Sequence, residues 1–386
     1  MKLHRYISAL FAVLLLAVLP GCSSSDEPSV LPVPEQPGEP AMTTLKLYIQ
    51  LDRDNAGAAA SAQEAAPASR ASMGASASRA SMADAADDRE KMHTVRIVIV
   101  DQNNVVEHST LWNLSNYPDV TAVGDDFPVK ANETKTVLLI ANEASATITL
   151  SDGRKVNVGD YMQPLAAIGA YMPDDLIRSF VHNFDDNKVA SGFLKTPLLM
   201  TAVHKLYVDD SPTQSATLFI HRAAVKYIFR FTVKDTKQSH HVSNIAINNV
   251  ASAQYLFPDA DFSDSQQQFL TAYRALGAAA SDLSIPVDLD VAPGKTVEVG
   301  PYYLPEGAIT AADNPYSVRF VVDDVDSHWL PLYWQDEQQS ASPQLMTDLC
   351  RNTAVVVNVS LTSVGFSVDY TRCPWNIQEI DIPPFN

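Results

Sequence analysis

The sequence has few of the residues, and none of the motifs, that catalytic or cofactor-binding sites usually need. Fourteen glycines in 386 residues form no glycine-rich phosphate loop, and no Gly-x-Ser-x-Gly turn of a serine hydrolase is present. The nine histidines lack cysteine or histidine partners at the spacing of zinc ligands. We therefore expect a protein that is not an enzyme and that uses no metal or cofactor.

Positive charge is also scarce. The net charge is −18, and there is no basic tract and no alternation of basic with aromatic residues. A strongly acidic surface argues against nucleic acid or anionic lipid as a partner and favours solubility outside the cell. Acidic pairs at 125–126, 185–186 and 323–324 lack the spacing of a calcium loop, so we interpret them as solvated loops.

The apolar runs are short, and the longest of them lies at the amino terminus. It spans Ile7–Leu19, about 13 residues, whereas a membrane-spanning helix needs about 20. Lys2 and Arg5 precede it, as in an export signal. The run ends in Leu19-Pro20-Gly21-Cys22, which resembles a bacterial lipobox.

That motif predicts a signal peptide over residues 1–21 and lipid attached to Cys22. Two or three acyl chains anchor a protein durably where one does not, so we expect the outer membrane as the location. Ser25-Asp26-Glu27 resembles the surface-export tag of Bacteroidetes lipoproteins. The alternative is an ordinary signal peptide whose cleavage site happens to contain a cysteine.

Only two other cysteines exist, Cys350 and Cys373. They flank a pair of predicted strands, and an exported protein can keep a disulfide. A hairpin turning at 361–362 would place them opposite each other, whereas a turn at 363–365 would separate them. A disulfide and two thiols both remain open.

Period-2 alternation predicts an all-β chain. Residues 22–41 form a Ser-, Pro- and Glu-rich tether, after which Leu45, Leu47, Ile49 and Leu51 alternate with polar residues, as in a half-buried strand. Further short strands, among them Lys155–Val158 and Val225–Val233, predict two β-sandwiches in tandem over 42–210 and 211–386. A few short helices are expected, at 174–184 and 266–276.

An Ala- and Ser-rich segment at 56–90 follows the first predicted strand. It has no apolar stripe to bury, so we expect an exposed, flexible loop. Residues 68–73 and 77–82 form a near-repeat that contains Arg70 and Arg79, and Arg89 lies just beyond. Arginines in such a loop are good substrates for a trypsin-like protease; the alternative is a linker with incidental arginines.

Several motifs, in order along the chain, resemble the Bacteroidales fimbrillins, the subunits of type V pili. They include the end of an N-terminal domain, an Arg-x-x-Ala-Lys segment that Val225 interrupts, a Tyr-Leu-Pro-Glu turn, an Arg-Asn strand start and a Pro-Trp. In this chain they are Leu198-Leu199-Met200-Thr201, His221-Arg222-Ala223-Ala224-Val225-Lys226, Tyr302-Tyr303-Leu304-Pro305-Glu306, Cys350-Arg351-Asn352-Thr353 and Pro374-Trp375.

The resemblance implies two transthyretin-like β-sandwich domains and a mechanism of assembly. In stalk subunits of this family a trypsin-like protease cuts the loop after the first strand, that strand leaves, and a strand from a neighbouring subunit replaces it. Here the leaving strand would be Thr43–Asp52, the cut would follow Arg70, Arg79 or Arg89, and the donor strand would lie within Gly365–Ile382. The implied partners are other fimbrial subunits, the protease and the outer membrane.

The resemblance leaves the subunit type open. A lipid-retained anchor and a tip subunit are alternatives to a stalk subunit. Independently of the family, a surface glycan-binding lipoprotein is a rival, because Trp112, Trp329 and Trp334 could stack on sugar rings. Core packing is the commoner role for such tryptophans.

Overall fold

Strands make up most of the regular structure. The computed structural model describes residues 41–51, 88–114, 122–150, 152–173, 176, 180–182, 197–234, 237–257, 280–309, 314–334, 344–362 and 365–374. In these ranges the structure contains one α-helix, α1 (Val158–Leu165), and two 3-10 helices, η1 (Asp88–Glu90) and η2 (Glu143–Ser145). No helix in these ranges has both the length and the apolar character needed to cross a membrane.

The first half of the chain contributes ten strands. They are β1 Met42–Leu51, β2 Thr94–Val100, β3 Val106–Asn113, β4 Ala122–Lys130, β5 Glu133–Ala141, β6 Thr147–Thr149, β7 Lys155–Asn157, β8 Phe180–His182, β9 Met200–Val208 and β10 Thr213–Arg222. Seven of them form one path in the order β3-β2-β5-β9-β10-β1-β4.

This path folds into two layers around a core. Strand β10 connects the layers, because it pairs with β1 along most of its length and with β9 at His221 and Arg222. Inward side chains of β1, β4 and β10 meet those of β2, β5 and β9. The other face of β2 and β5 is buried against α1 and the segment Leu256–Phe257, which explains why these two strands are almost continuously apolar.

The second half contributes fourteen strands. They are β11 Val225–Val233, β12 His240–Ala251, β13 Gln254–Tyr255, β14 Ala280–Val291, β15 Thr296–Leu304, β16 Gly307–Ala308, β17 Ser317–Val322, β18 Val325–Asp326, β19 Leu330–Pro331, β20 Tyr333–Trp334, β21 Gln344–Leu345, β22 Asp348–Leu349, β23 Thr353–Thr362 and β24 Gly365–Pro374.

Two sheets of this half enclose a second core. Their orders are β15-β11-β23-β24 and β14-β12-β17-β18, with β19 also paired to β17. Most of the buried residues of this core are aliphatic, and a group of aromatic rings lies among them. The ring of Phe320 lies edge-on to Phe231 at 5.5 Å and to Phe229 at 6.0 Å. Edge-to-face geometry is favoured because the positive ring edge meets the negative ring face.

The prediction of a predominantly β chain is confirmed, with one short helix. Strand β10, which the predicted boundary at 210/211 assigns to the second half, pairs with the first-half strands β1 and β9. Residues from Ala41 onward form one compact unit. The division into 42–210 and 211–386, and the transthyretin-like character of each part, stay predictions.

Local differences from the sequence-based expectation have identifiable causes. The pattern missed β4, whose Gly, Pro and paired Asp residues disfavour strands; its pairing with β1 outweighs this. The prediction of a helical turn over 174–184 is wrong at Phe180–His182, which pair with β6 and β13 as β8. The helix expected at 266–276 lies outside the described residues.

The helix α1 was also missed. It begins where the side chain of Asn157 accepts a hydrogen bond from the Gly159 amide at 2.8 Å, a favourable N-cap that satisfies one otherwise unpaired donor. Val158 and Met162 bury one side of the helix. The sequence instead suggested that the strand β7 continues through Val158.

Candidate functional site

The strand β1 lies in the interior of the first sheet. It runs parallel to β10 on one side and antiparallel to β4 on the other. Its inward side chains fill the centre of the first core: Leu45, Leu47 and Ile49 are completely buried, and Thr43 and Leu51 nearly so. Burial of the four apolar side chains stabilises the strand by roughly 6–12 kcal/mol.

The outward face of β1 is different in character. Tyr48 is 49% exposed and its ring lies over Gly124 of β4, where any side chain would meet it. Lys46 forms an exposed ion pair of 3.4 Å with Asp126 of β4. The strand is therefore fixed in register by its buried face, because a slip of one residue would exchange the two faces.

The segments on both sides of β1 fall outside the described residues. Cys22, Arg70 and Arg79 lie in these segments, so lipidation and cleavage at these positions stay predictions. The chain re-enters the described structure at η1, which precedes β2. Arg89, the third candidate cleavage residue, is the middle residue of this turn.

Arg89 is held in place by the protein around it. Its guanidinium lies 4.5 Å from the ring centroid of Tyr303, a favourable cation–π distance. Its carbonyl accepts a hydrogen bond from the Leu198 amide at 2.7 Å. A protease binds its substrate in an extended conformation, so this tightly turned segment must open before Arg89 can be cut.

Glu90 anchors η1 in a polar cluster below the surface. Its carboxylate is 2.6 Å from the Tyr303 hydroxyl, which donates a hydrogen bond, and 2.9 Å from the Lys226 ammonium. Burial raises the pKa of the Glu90 carboxyl, but the charge and hydrogen bond of Lys226 and the Tyr303 hydrogen bond together outweigh burial and lower that pKa. Glu90 is thus a charged group with dedicated partners.

A second buried ion pair lies in the same region. Arg351 and Glu306 are both completely buried, and the Arg351 Nε donates to Glu306 Oε2 at 2.9 Å. The Arg351 guanidinium also donates to the Thr201 hydroxyl at 2.8 Å and to the Tyr255 carbonyl at 2.6 Å. The full set of donors is engaged, as a buried charge requires.

The segments that resemble fimbrillin motifs come together at these two ion pairs. We call the set the junction cluster; it consists of Glu90, Thr201, Arg222, Lys226, Tyr303, Glu306, Arg351 and Asn352. It connects η1 with β9, β11, β15 and the start of β23. Sequence reasoning identified the motifs separately but missed Glu90 and the contacts between the motifs, for which the sequence contains no signal.

At the carboxyl end, β24 forms an edge of the second sheet and pairs with β23 along its whole length. In the ladder, Thr362 lies opposite Gly365 and Ala354 lies opposite Cys373. Cys350 is buried ahead of β23. The disulfide between Cys350 and Cys373 stays a prediction, and Trp375 lies outside the described residues.

Among the described residues, one group of acidic side chains has the spacing of a metal site: Asp101, Glu107 and Glu133. Two lysines balance two of its three negative charges. The ammonium of Lys135, which is completely buried, forms ion pairs with Glu107 and Glu133, and Lys130 contacts Asp101. The group acts as an ion-pair network that has no need of a cation.

The remaining acidic pairs and the tryptophans have local roles. Asp323 accepts hydrogen bonds from the His240 ring at 2.6 Å and the His241 amide at 2.8 Å, while residues 185–186 lie outside the described ranges. Trp112 packs against the first core. The Arg319 guanidinium lies 5.0 Å from the Trp329 ring centroid, so each of these two tryptophans already has a protein contact.

Comparison with solved structures identifies the fold. The tip fimbrial protein Mfa3 of Porphyromonas gingivalis, with a C-terminal truncation, superposes with a TM-score of 0.51 at 10% identity, over 86% of this chain and 100% of that one. The chain has a fimbrillin-like fold. No family model and no curated protein matches the sequence, which is consistent with such low identity.

Other solved structures resemble the fimbrillin-like fold more weakly. A candidate cell adhesion protein of Parabacteroides distasonis has a TM-score of 0.47 at 12% identity, over 88% of this chain and 98% of that one. A fimbrial assembly protein of the same species has a TM-score of 0.35 at 10% identity, over 89% and 100%. These three structural neighbours are Bacteroidales fimbrial and adhesion proteins, and they are not described as enzymes.

Proposed function

We propose that this chain is a non-enzymatic structural subunit of a cell-surface fimbrium, exported as an outer-membrane lipoprotein and assembled by protease-triggered β-strand exchange. One observation carries the proposal. The strand β1 fills the centre of the first core and pairs on both sides, while the chain that follows the loop is fastened elsewhere, at the junction cluster.

This arrangement allows β1 to leave while the chain that follows the cut stays attached. Once the loop is cut, no covalent bond joins β1 to η1. Glu90 keeps η1 attached to Lys226 and Tyr303, so the new amino terminus stays at the body of the protein. Departure of β1 opens an apolar groove bounded by β10 and β4, which is a strong template for strand addition.

The site of the cut follows from the same contacts. We propose cleavage after Arg70 or Arg79 and not after Arg89, because Arg89 lies in η1 with its carbonyl hydrogen-bonded and its side chain on Tyr303. The lipid on Cys22 would leave with β1.

Limited trypsin digestion of the purified chain, read by intact mass and amino-terminal sequencing, tests this proposal. We expect the first product to begin at residue 71 or 80 and to retain Arg89 uncut. A matched chain with Arg53→Gln, Arg70→Gln and Arg79→Gln, which has no trypsin site left between residues 52 and 87, should resist early cleavage. Absence of early cleavage between residues 52 and 87 in the unaltered chain contradicts stalk-type processing.

A tip subunit is a second candidate, favoured by a specific observation. A tip subunit keeps its carboxyl-terminal strand in its own fold, and β24 pairs with β23 along its full length. A stalk subunit has to release its donor strand, which we place within Gly365–Ile382. Proteolysis that removes residues 365–386 distinguishes a stalk subunit from a tip subunit. If the chain is a stalk subunit, the first core of a neighbouring copy loses its donor strand. If the chain is a tip subunit, its assembly onto the next subunit is unaffected.

A further inference from the structure

Two strands, β4 and β10, would bound the groove that β1 leaves, and β4 depends on β1 more than β10 does. It lies at one end of the seven-strand path, and among the described strands β1 is its ladder partner. By contrast, β10 on the opposite side also pairs with β9. If β1 leaves, β4 loses its whole ladder, and an incoming strand needs both walls to recover the hydrogen bonds that β1 made.

The two end strands of the path approach each other. The His108 ring of β3 lies edge-on to the Phe127 ring of β4 at a centroid distance of 5.8 Å, and its Nε2 contacts the Pro128 carbonyl. Near the end of β4, the Lys130 ammonium is 3.1 Å from Asp101 Oδ2 and 3.6 Å from Glu107 Oε1. We call these contacts the β3–β4 seam, consisting of Asp101, Glu107, His108, Phe127, Pro128 and Lys130.

Asp101 lies at one end of the seam, and its side chain is held in position by its own turn. Only 3% of this residue is exposed, and its Oδ1 accepts hydrogen bonds from the Asn103 and Val105 amides, both at 2.9 Å. Burial raises the pKa of the Asp101 carboxyl, but these amides and Lys130 outweigh burial and lower that pKa. The carboxylate is therefore charged at neutral pH and is held by its own turn, independently of β1.

We propose that the β3–β4 seam holds β4 in place as the outer wall of the groove while β1 is absent. The inference rests on the proposed strand exchange. After β1 has left, β4 keeps its short connection to β5, the inward side chains Phe127 and Val129, and the seam. Of these three attachments, the seam ties β4 to β3 and to the turn before it, neither of which pairs with β1, and it therefore determines whether the groove stays open for an extended strand of another subunit.

Hydrogen exchange of the β4 amides tests the seam directly. The substitution Leu47→Asp in the full-length, uncut chain puts a charge into the first core and favours departure of β1. If the amides of β2 also lose protection, the whole core has unfolded, and the milder substitution Leu47→Thr is used in place of Leu47→Asp. In this background we expect Lys130→Met to speed exchange of the amides of residues 123–130 by at least tenfold. Arg154→Met, which removes an exposed ion pair with Asp152, is the matched control and should change nothing.

Lys130→Met alone should leave β4 protected, because β1 still pairs with it. Equal exchange of β4 with and without Lys130→Met in the Leu47 background overturns the proposal.

Uptake of a synthetic peptide of residues 42–52 separates this inference from the proposed function. We expect the Leu47→Asp chain to bind the peptide, and the chain that also carries Lys130→Met to bind it at least tenfold more weakly. The Leu47→Asp chain can fail to bind the peptide while hydrogen exchange shows that Lys130 still protects the β4 amides. That result contradicts strand exchange and leaves the role of the seam supported. Equal binding by both chains overturns the role of the seam and leaves strand exchange supported.

Discussion

At the scale of single residues, the unusual feature is the number of charged groups placed in the interior. Lys135, Glu306 and Arg351 are completely buried, and Glu90 is 4% exposed. Desolvating a charge costs several kcal/mol, which a well-formed ion pair with further hydrogen bonds offsets. Such groups are therefore sensitive to the loss of one partner, and they define one arrangement of the segments that they connect.

Removal of Arg351 tests how strongly a buried ion pair depends on both of its partners. Arg351→Met leaves Glu306 buried without its counter-charge, so we expect the free energy of unfolding to fall by about 3–5 kcal/mol. Urea unfolding followed by circular dichroism measures the effect. The exposed control Arg154→Met should leave the urea midpoint unchanged, and the double variant Arg351→Met with Glu306→Met should be more stable than Arg351→Met alone. A single variant as stable as the unaltered chain contradicts this view of the junction cluster.

His204 predicts how stability depends on pH. Burial lowers the pKa of this histidine to about 4, and the His204 Nε2 lies 2.8 Å from the Phe219 carbonyl of β10. In the unfolded chain its pKa is about 6.5. The folded protein holds His204 neutral, so as pH falls below about 6.5 the unfolded state takes up a proton and the folded state does not, and stability is lost.

We expect His204 to account for a loss of about 2 kcal/mol in the free energy of unfolding between pH 7.5 and pH 5. Urea unfolding at the two pH values, compared between the unaltered chain and His204→Gln, measures this contribution. The acidic groups with lowered pKa values, Glu90 and Asp101, lose their contribution only at lower pH and do not interfere. An identical pH dependence in both chains contradicts the assignment.

At the scale of elements, β1 and β24 differ in how they are held. The strand β1 is interior and has two ladder partners, whereas β24 is an edge strand with one. Backbone hydrogen bonds contribute about 1 kcal/mol each, so β1 is the more firmly held of the two while the loop is intact. Cleavage changes this, because a cut makes the release of β1 a separate event from unfolding of the remainder.

Substitutions on the two faces of β1 separate packing from pairing. Leu45→Ala removes a completely buried side chain and should lower the free energy of unfolding by about 2–5 kcal/mol. Gln50→Ala, on the exposed face of the same strand, should have little effect. Chemical unfolding of the uncut chains measures stability, and release of the β1 fragment after trypsin treatment should be faster for Leu45→Ala. Equal release rates would show that inward packing does not retain β1.

At the scale of the whole molecule, the proposed function implies a groove for assembly that stays closed until a protease acts. No nucleotide or catalytic residue is required, since the stabilisation gained by the incoming strand drives the exchange. Control by cleavage also prevents premature pairing, because an open sheet edge beside an apolar groove is prone to aggregation.

Size-exclusion chromatography with light scattering tests this behaviour. The uncut chain should be monomeric, and trypsin-treated chains mixed at high concentration should form oligomers. The chain with Arg53→Gln, Arg70→Gln and Arg79→Gln should stay monomeric under the same treatment. Oligomers of equal size with and without cleavage contradict a protease-triggered mechanism.

Much of the fold was predictable because one face of each long strand is buried. Leu45 to Leu51 alternate so regularly that the position of β1 and its inward residues followed from the sequence, and β11 at Val225–Val233 was predicted to the residue. The pattern failed for β4, whose composition opposes a strand. The strand β14 was missed although its apolar and polar residues alternate; Pro286 counts against an interior strand, but β14 lies at a sheet edge, where proline is tolerated.

The candidate site was predictable only in part. The first strand was identified from the sequence, but Arg89 was grouped with Arg70 and Arg79 because it lies just beyond the repeat that contains them. Its contacts with Tyr303 and Leu198 come from distant parts of the chain, and no local pattern encodes them.

Local alternation of apolar and polar residues determined that the chain is built of strands and which side chains of β1 face inward, since that choice depends only on the two-residue period of a strand. Only the tertiary structure decided which strands neighbour β1 and that Glu90 meets Lys226 and Tyr303. Those choices depend on pairing between residues far apart in sequence, where the backbone offers the same hydrogen bonds to many partners and packing of the whole chain selects one.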